Sequence, residues 1–136
     1  MELQLDTSKI YAIALEGGGA KGAYQVGVWR ALEEAGTVVA VPGTSEHQLG
    51  LALDIIDDSN WTLDQTQENT KTQKWLMAHS WEYGWVLRYP NGKTELTGII
   101  YEPWHYRYVG KEIAAELHEL DMCLEEYMQM LSDTVG

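Results

Sequence analysis

The chain has 136 residues, 45% of them hydrophobic, which suits one domain over 1–136 and leaves no room for two ordinary ones. Its formal net charge of −12 argues against nucleic acid and anionic membrane surfaces as partners. The single cysteine, Cys123, excludes an intrachain disulfide and a Cys-rich zinc site, so any metal must rest on histidines and carboxylates.

Residues 1–30 lack a basic start followed by an apolar run, so no signal peptide is visible. No stretch approaches the roughly 20 apolar residues of a membrane span. KIYAIALE, residues 9–16, reads as a short buried strand, and GGGAKG, residues 17–22, as a loop. Residues 23–36 read as a helix, with Tyr24, Val28, Ala31, Leu32 and Ala35 near one face and Gly36 as its stop. TVVAV is a short apolar run ended by Pro42-Gly43. GLALDII, residues 50–56, alternates as a strand does.

Residues 67–82 read as a helix, with Gly84 just past its end. Residues 84–102 predict a hairpin, because two aromatic and β-branched runs flank PNGK and Asn91-Gly92 supplies positive φ. Residues 110–133 read as one helix or two short ones, with an apolar stripe of Ile113, Ala114, Leu117, Leu120 and Leu124. Helices around a central antiparallel signal point to an α+β fold with a small antiparallel sheet. Six Trp and eight Tyr with no Phe suit core packing, or a wall of amphipathic rings around a polar ligand.

Four histidines and 21 carboxylates could hold a borderline cation, and a few of them stand out by position. His47 and Asp54 lie seven apart, and His105 comes later, in EPWHYRYVG, residues 102–110. Two imidazoles and a carboxylate meet the three-ligand count of zinc hydrolases, which leave a fourth position for water. A carboxylate outside the ligand set is then needed to move protons, and Glu102 stands three residues before His105 across a Pro-stiffened segment. A duller account fits the spacing equally well: His105 packs among aromatics, and Asp54 caps or solvates a strand end.

The residues say more than the spacing. SEHQLGLALD, residues 45–54, resembles the S-x-H-x-x-G-x-A-x-D motif of VanY-type D-alanyl-D-alanine carboxypeptidases, a family of zinc peptidases. EPWHYRYVG resembles that family's second signature, E-P-W-H-[WY]-R-Y-V-G, and the likeness runs from about Thr37 to Leu131. It implies a zinc cleft at the sheet, one Zn²⁺ per chain on His47, Asp54 and His105, and Glu102 as general base and then acid. Ser45 falls where the family has a substrate-contacting serine, and Trp104, between Glu102 and His105, is a second expected substrate contact. The implied substrate is a peptidoglycan stem peptide ending in D-Ala, and the implied location is the cell envelope or outside the cell. The remaining polar residues have plainer expectations. His79 packs near Trp75 or Tyr83, His118 is solvated on an acidic helix face, Arg107 pairs with a carboxylate, and Arg88 meets solvent or a carboxylate.

The opening differs. IALEGGGAKGAYQVGVWRALEEAG, residues 13–36, resembles the strand, loop and helix that open patatin-like phospholipases. Those enzymes need a G-x-S-x-G elbow, yet Gly43-Thr44-Ser45-Glu46-His47 puts histidine where the second glycine should allow a sharp turn. The lipase Asp-Gly motif is absent too, so serine chemistry lacks its constellation. VanY-type enzymes usually carry, upstream, an S-G-Y-R-S-like strand whose arginine holds the substrate carboxylate, and no such run occurs here. The chain therefore reads as a chimera joined near residues 36–41. Loss of a bidentate guanidinium removes roughly 1.5–3 kcal/mol, which weakens hydrolysis without requiring its loss. The competing readings are a catalytically impaired zinc-binding chimera or a cell-wall peptide-binding remnant and, more remotely, a patatin-like serine lipase.

Overall fold

Ser45 to Val135 are the residues that the computed structural model describes. The expected strand at 9–16, the loop, the helix at 23–36 and the TVVAV run lie outside them. The chain divides into two units, Met1–Gly50 and Leu51–Gly136. The described part of the first is Ser45 followed by a 3-10 turn, Glu46–Leu49, closed by Gly50 at φ 69. Among the described residues no helix is long and apolar enough to cross a membrane.

The second unit is built on a three-stranded antiparallel sheet. Strand β1 is Ala52–Asp54, β2 is Trp85–Leu87, and β3, His105–Tyr108, lies between them. β1 is shorter than the expected 50–56 because the chain bends at Asp57. There the Asp57 carboxylate accepts from the backbone N–H of Ser59 at 2.8 Å and from its hydroxyl, a side-chain turn that competes with strand pairing. Its second oxygen accepts from Thr72 N–H at 3.1 Å. These bonds, Ser59 first and Thr72 next, hold the Asp57 carboxyl far below the usual carboxylate range.

Thr70 caps helix α1, Lys71–His79, by accepting from Gln73 N–H at 3.2 Å. The expected helix of 67–82 is thus three pieces, with 3-10 turns at Gln65–Asn69 and Ser80–Tyr83 flanking α1. Gln67 cannot start the helix, because its buried amide group is committed to the loop before it. It donates to the carbonyls of Asn60 and Thr62, both at 2.7 Å, and accepts from Asp57 N–H at 3.1 Å. The expected stop at Gly84 holds, at φ 88. A Cβ there would sit 2.8 Å from the Tyr108 ring, so glycine is required twice over.

The hairpin expected within 84–102 does not form. The turn at Asn91-Gly92 is present, with Gly92 at φ 78 and Lys93 N–H donating to Pro90 O at 3.4 Å. Beyond it the chain enters a single helical turn, α2 (Thr94–Thr97), and β2 pairs with β3 instead. Thr-Glu-Leu-Thr offers no alternating apolar face to bury, whereas His105 and Tyr106 at the head of β3 are both buried.

Residues 111–135 form two helices, α3 (Lys111–Leu120) and α4 (Leu124–Val135). Asp121 breaks them at φ 52, and Met122 N–H donates back to Leu117 O at 3.1 Å, closing a left-handed cap. Glu126 then accepts from Cys123 N–H at 2.8 Å at the start of α4. Only part of the expected stripe is interior: Ala114 and Leu117 are buried, while Ile113 and Leu120 are exposed. The core joins these to Ala52, Trp104, Tyr106, Cys123 and Tyr127. Tyr106, fully buried, donates its hydroxyl to Gln73 Oε1 at 3.0 Å, and the Gln73 amide donates to Ile55 O. That polar pillar ties β3, α1 and the end of β1 together with its buried groups paired. The α+β class and the small antiparallel sheet flanked by helices are as expected.

Candidate metal centre

Antiparallel register places the side chains of facing residues on one side of the sheet. Asp54 on β1 faces His105 on β3. Their side chains meet, with His105 Nδ1 3.2 Å from Asp54 Oδ1. Glu102 reaches the same nitrogen by a different route. Residues 102–105 form a tight turn in which His105 N–H donates to Glu102 O at 3.1 Å. Pro103, at the second position with its fixed φ, suits such a turn. The turn brings Glu102 Oε2 to 3.5 Å from His105 Nδ1. The three-residue spacing of Glu102 and His105 is therefore that of the two ends of one turn.

One imidazole nitrogen thus faces two carboxylates. His105 is 5% exposed, whereas the Asp54 and Glu102 side chains are 34% and 22% exposed. The nitrogen donor is anchored in the core, and the oxygen donors open toward solvent. Nitrogen and carboxylate oxygen suit a borderline cation such as zinc.

The segment after β2 backs this turn. Arg88 N–H donates to His105 O at 3.0 Å, and Tyr89 O accepts from Glu102 N–H at 3.1 Å. The Tyr89 and His105 rings lie 4.8 Å apart, tilted by 53°. Arg88 places its guanidinium 4.8 Å from the centre of the Tyr89 ring and grips Glu125 of α4 with two bonds of 2.9 and 2.6 Å. Burial pushes the Glu125 carboxyl up, but Arg88 outweighs it and holds the group below its ordinary value.

Of the sequence-derived residues, Asp54, Glu102 and His105 converge within the second unit. Ser45 and His47 belong to the first. There Ser45 precedes the 3-10 turn without a side-chain capping bond, and half-buried His47 sits within the turn. Trp104 is a core residue, 8% exposed, whose carbonyl accepts from Ile55 N–H at 2.8 Å. His79 lies against Trp75 as expected, with ring centres 5.0 Å apart. His118 is exposed, as expected, and in addition stacks on Trp81 at 4.5 Å and 8°, because the 3-10 turn after α1 packs beside α3. Arg88 finds the carboxylate partner expected of it. Sequence reasoning missed Tyr89, which carries no motif of its own and reaches His105 only through strand pairing.

Comparison with known proteins fits this geometry. Residues 8–111 match the VanY family model, described as D-alanyl-D-alanine carboxypeptidase. A D-alanyl-D-alanine carboxypeptidase of Enterococcus faecalis is 50% identical over 99 residues, covering 73% of this chain and 35% of that protein. Among solved structures, the LdcB LD-carboxypeptidase has a TM-score of 0.65 at 40% identity, covering 81% of this chain and 51% of that one. The vancomycin-resistance D,D-pentapeptidase VanY, in complex with Zn(II), has a TM-score of 0.56 at 42% identity, covering 80% and 63%. The chain thus spans about a third to two thirds of the length of these relatives.

Proposed function

Because the chain belongs to the VanY family of D-alanyl-D-alanine carboxypeptidases, we propose that it is a zinc peptidase. Its reaction is hydrolysis of the C-terminal peptide bond of peptidoglycan stem peptides ending in D-Ala, in the cell envelope or outside the cell. The ligands are His47, Asp54 and His105, two imidazoles and a carboxylate of the kind that can hold a metal ion. The observation that carries the reading is the convergence of Asp54 and Glu102 on Nδ1 of His105, at 3.2 and 3.5 Å.

When bound, the ion supplies Lewis acidity and lowers the pKa of an attacking water. Asp54 and His105 hold their donor atoms on one side of the sheet, so little reorganisation is needed to meet a cation. Glu102, set beside the ligands by its turn, takes the proton of the attacking water and passes it to the leaving amine of D-alanine. Ser45 and Trp104 are the proposed substrate contacts, although Trp104 is 8% exposed and lies mostly in the core.

The test is release of D-alanine by the purified, zinc-loaded chain from peptides ending in D-Ala-D-Ala and in an L-residue followed by D-Ala. Zinc-dependent release from either supports the reading. Bound zinc without release from either favours the second reading, an impaired zinc-binding chimera, which the missing upstream arginine run motivates. Absence of both zinc and release overturns the metallopeptidase assignment.

A further inference from the structure

We infer that Tyr89 is a positioning residue for His105, held in place by the Arg88–Glu125 ion pair, so that helix α4 helps to set the affinity of the metal centre. The inference rests on the ligand assignment proposed above.

His105 lies at the first position of β3, directly after a turn, where one side of its ring meets Asp54. Buried to 5% exposure, the imidazole takes its orientation from the groups packed against it. One of these is the Tyr89 ring, 4.8 Å away and tilted by 53°. Tyr89 cannot drift, because its backbone is fixed at both ends of the Glu102–His105 turn. Its carbonyl accepts from Glu102 N–H, and the preceding Arg88 N–H donates to His105 O. The ring is covered in turn by the Arg88 guanidinium, in cation–π geometry. A guanidinium fork is fixed best by a carboxylate that accepts two bonds, and Glu125 does so from the first turn of α4. The Arg88 side chain is only 12% exposed, so the pair is shielded from much of the screening that weakens surface pairs. Contacts thus run unbroken from α4 through Glu125, Arg88 and Tyr89 to His105. A ligand imidazole already held in its binding orientation loses less freedom when it meets the metal, and hydrogen-bonded outer-shell partners of metal ligands, which set the scale for such an effect, typically change affinity by about 10–100-fold.

The experiment measures zinc affinity of the full chain by competition with a chromophoric chelator, alongside the melting temperature of the metal-free protein. Tyr89→Ala is expected to weaken zinc binding about 10-fold. Tyr89→Phe is expected to rescue it, because it keeps the ring contact with His105. Glu125→Gln, which keeps Tyr89 but loosens Arg88, is expected to weaken binding in the same direction by a smaller factor. If Tyr89 served packing alone, Tyr89→Ala would lower the melting temperature and leave zinc affinity unchanged. Unchanged affinity in Tyr89→Ala, or in Glu125→Gln if the alanine variant does not fold, overturns the inference while the ligand assignment stands. Failure of Tyr89→Phe to restore binding overturns it as well. A wild-type chain that takes up no zinc overturns the assignment itself, and the inference with it.

Discussion

Two tight turns in this molecule each carry a proline and behave differently. Pro90-Asn91-Gly92-Lys93 and Glu102-Pro103-Trp104-His105 are each closed by a bond from the fourth residue to the first, at 3.4 and 3.1 Å. The first is exposed at Asn91 and Gly92, and the chain leaves it for one turn of helix. The second has Pro103, Trp104 and His105 buried, and it delivers the chain into the central strand. The difference lies in the residues just beyond each turn. Thr94–Thr97 has no face to bury, while His105 and Tyr106 enter the core and β3 pairs on both sides. A turn fixes a local bend, and the burial available to the next residues decides whether that bend becomes a hairpin or a site.

The two turns differ most in what Glu102 is proposed to do. Glu102→Ala should keep zinc and lower the rate of D-alanine release by roughly 10²–10⁴-fold, the usual weight of a general acid–base. Unchanged turnover would remove Glu102 from the chemistry and leave its turn a structural element like the other. Next comes the burial behind the second turn. Tyr106→Phe takes away the donor to Gln73 Oε1 and should cost about 1–3 kcal/mol in chemical denaturation. A cost near zero would mean that the polar pillar does not set the position of β3.

The exposed turn should be more forgiving. A Cβ at Gly92 meets nothing within 4 Å, so Gly92→Ala should cost only the left-handed backbone penalty of about 1–2 kcal/mol and leave zinc binding alone. Smaller still is the effect of its neighbour's ion pair. Lys93 Nζ lies 2.7 Å from Glu126, and that bond, with the Cys123 N–H next, depresses the Glu126 carboxyl to about 2. A depressed carboxylate stabilises the fold above its ordinary value of 4.5, and the contribution fades as pH falls from there to about 2. Melting temperatures of the wild type should therefore fall more steeply over that window than those of Glu126→Gln. Parallel curves would show that the pair contributes nothing.

The candidate site is legible in the sequence through the two motifs that resemble VanY-type peptidases, since spacing alone leaves a structural role for Asp54 and His105 equally open, and Asp54 meets His105 by strand pairing. Glu102 and His105 are the ends of one turn, and Asp54 lies on a strand that alternation reveals, although Asp57 cuts that strand short. The stop at Gly84 is equally plain, since positive φ and close packing leave no alternative. The missing hairpin and the stacking of His118 on Trp81 are not legible, because each depends on which distant segment packs alongside. The same holds for Tyr89, sixteen residues before His105, whose role comes from strand pairing alone. The sequence leaves residues 110–133 open between one helix and two, for a left-handed aspartate such as Asp121 is rare and only its capping bonds reveal the break.

The buried turn is proposed to end in a metal ligand, His105. Metal analysis of the purified wild type and His105→Ala tests it most directly, with circular dichroism confirming that the variant is folded. One zinc ion per chain in the wild type and none in the variant is the predicted result. Full zinc occupancy in folded His105→Ala would contradict it.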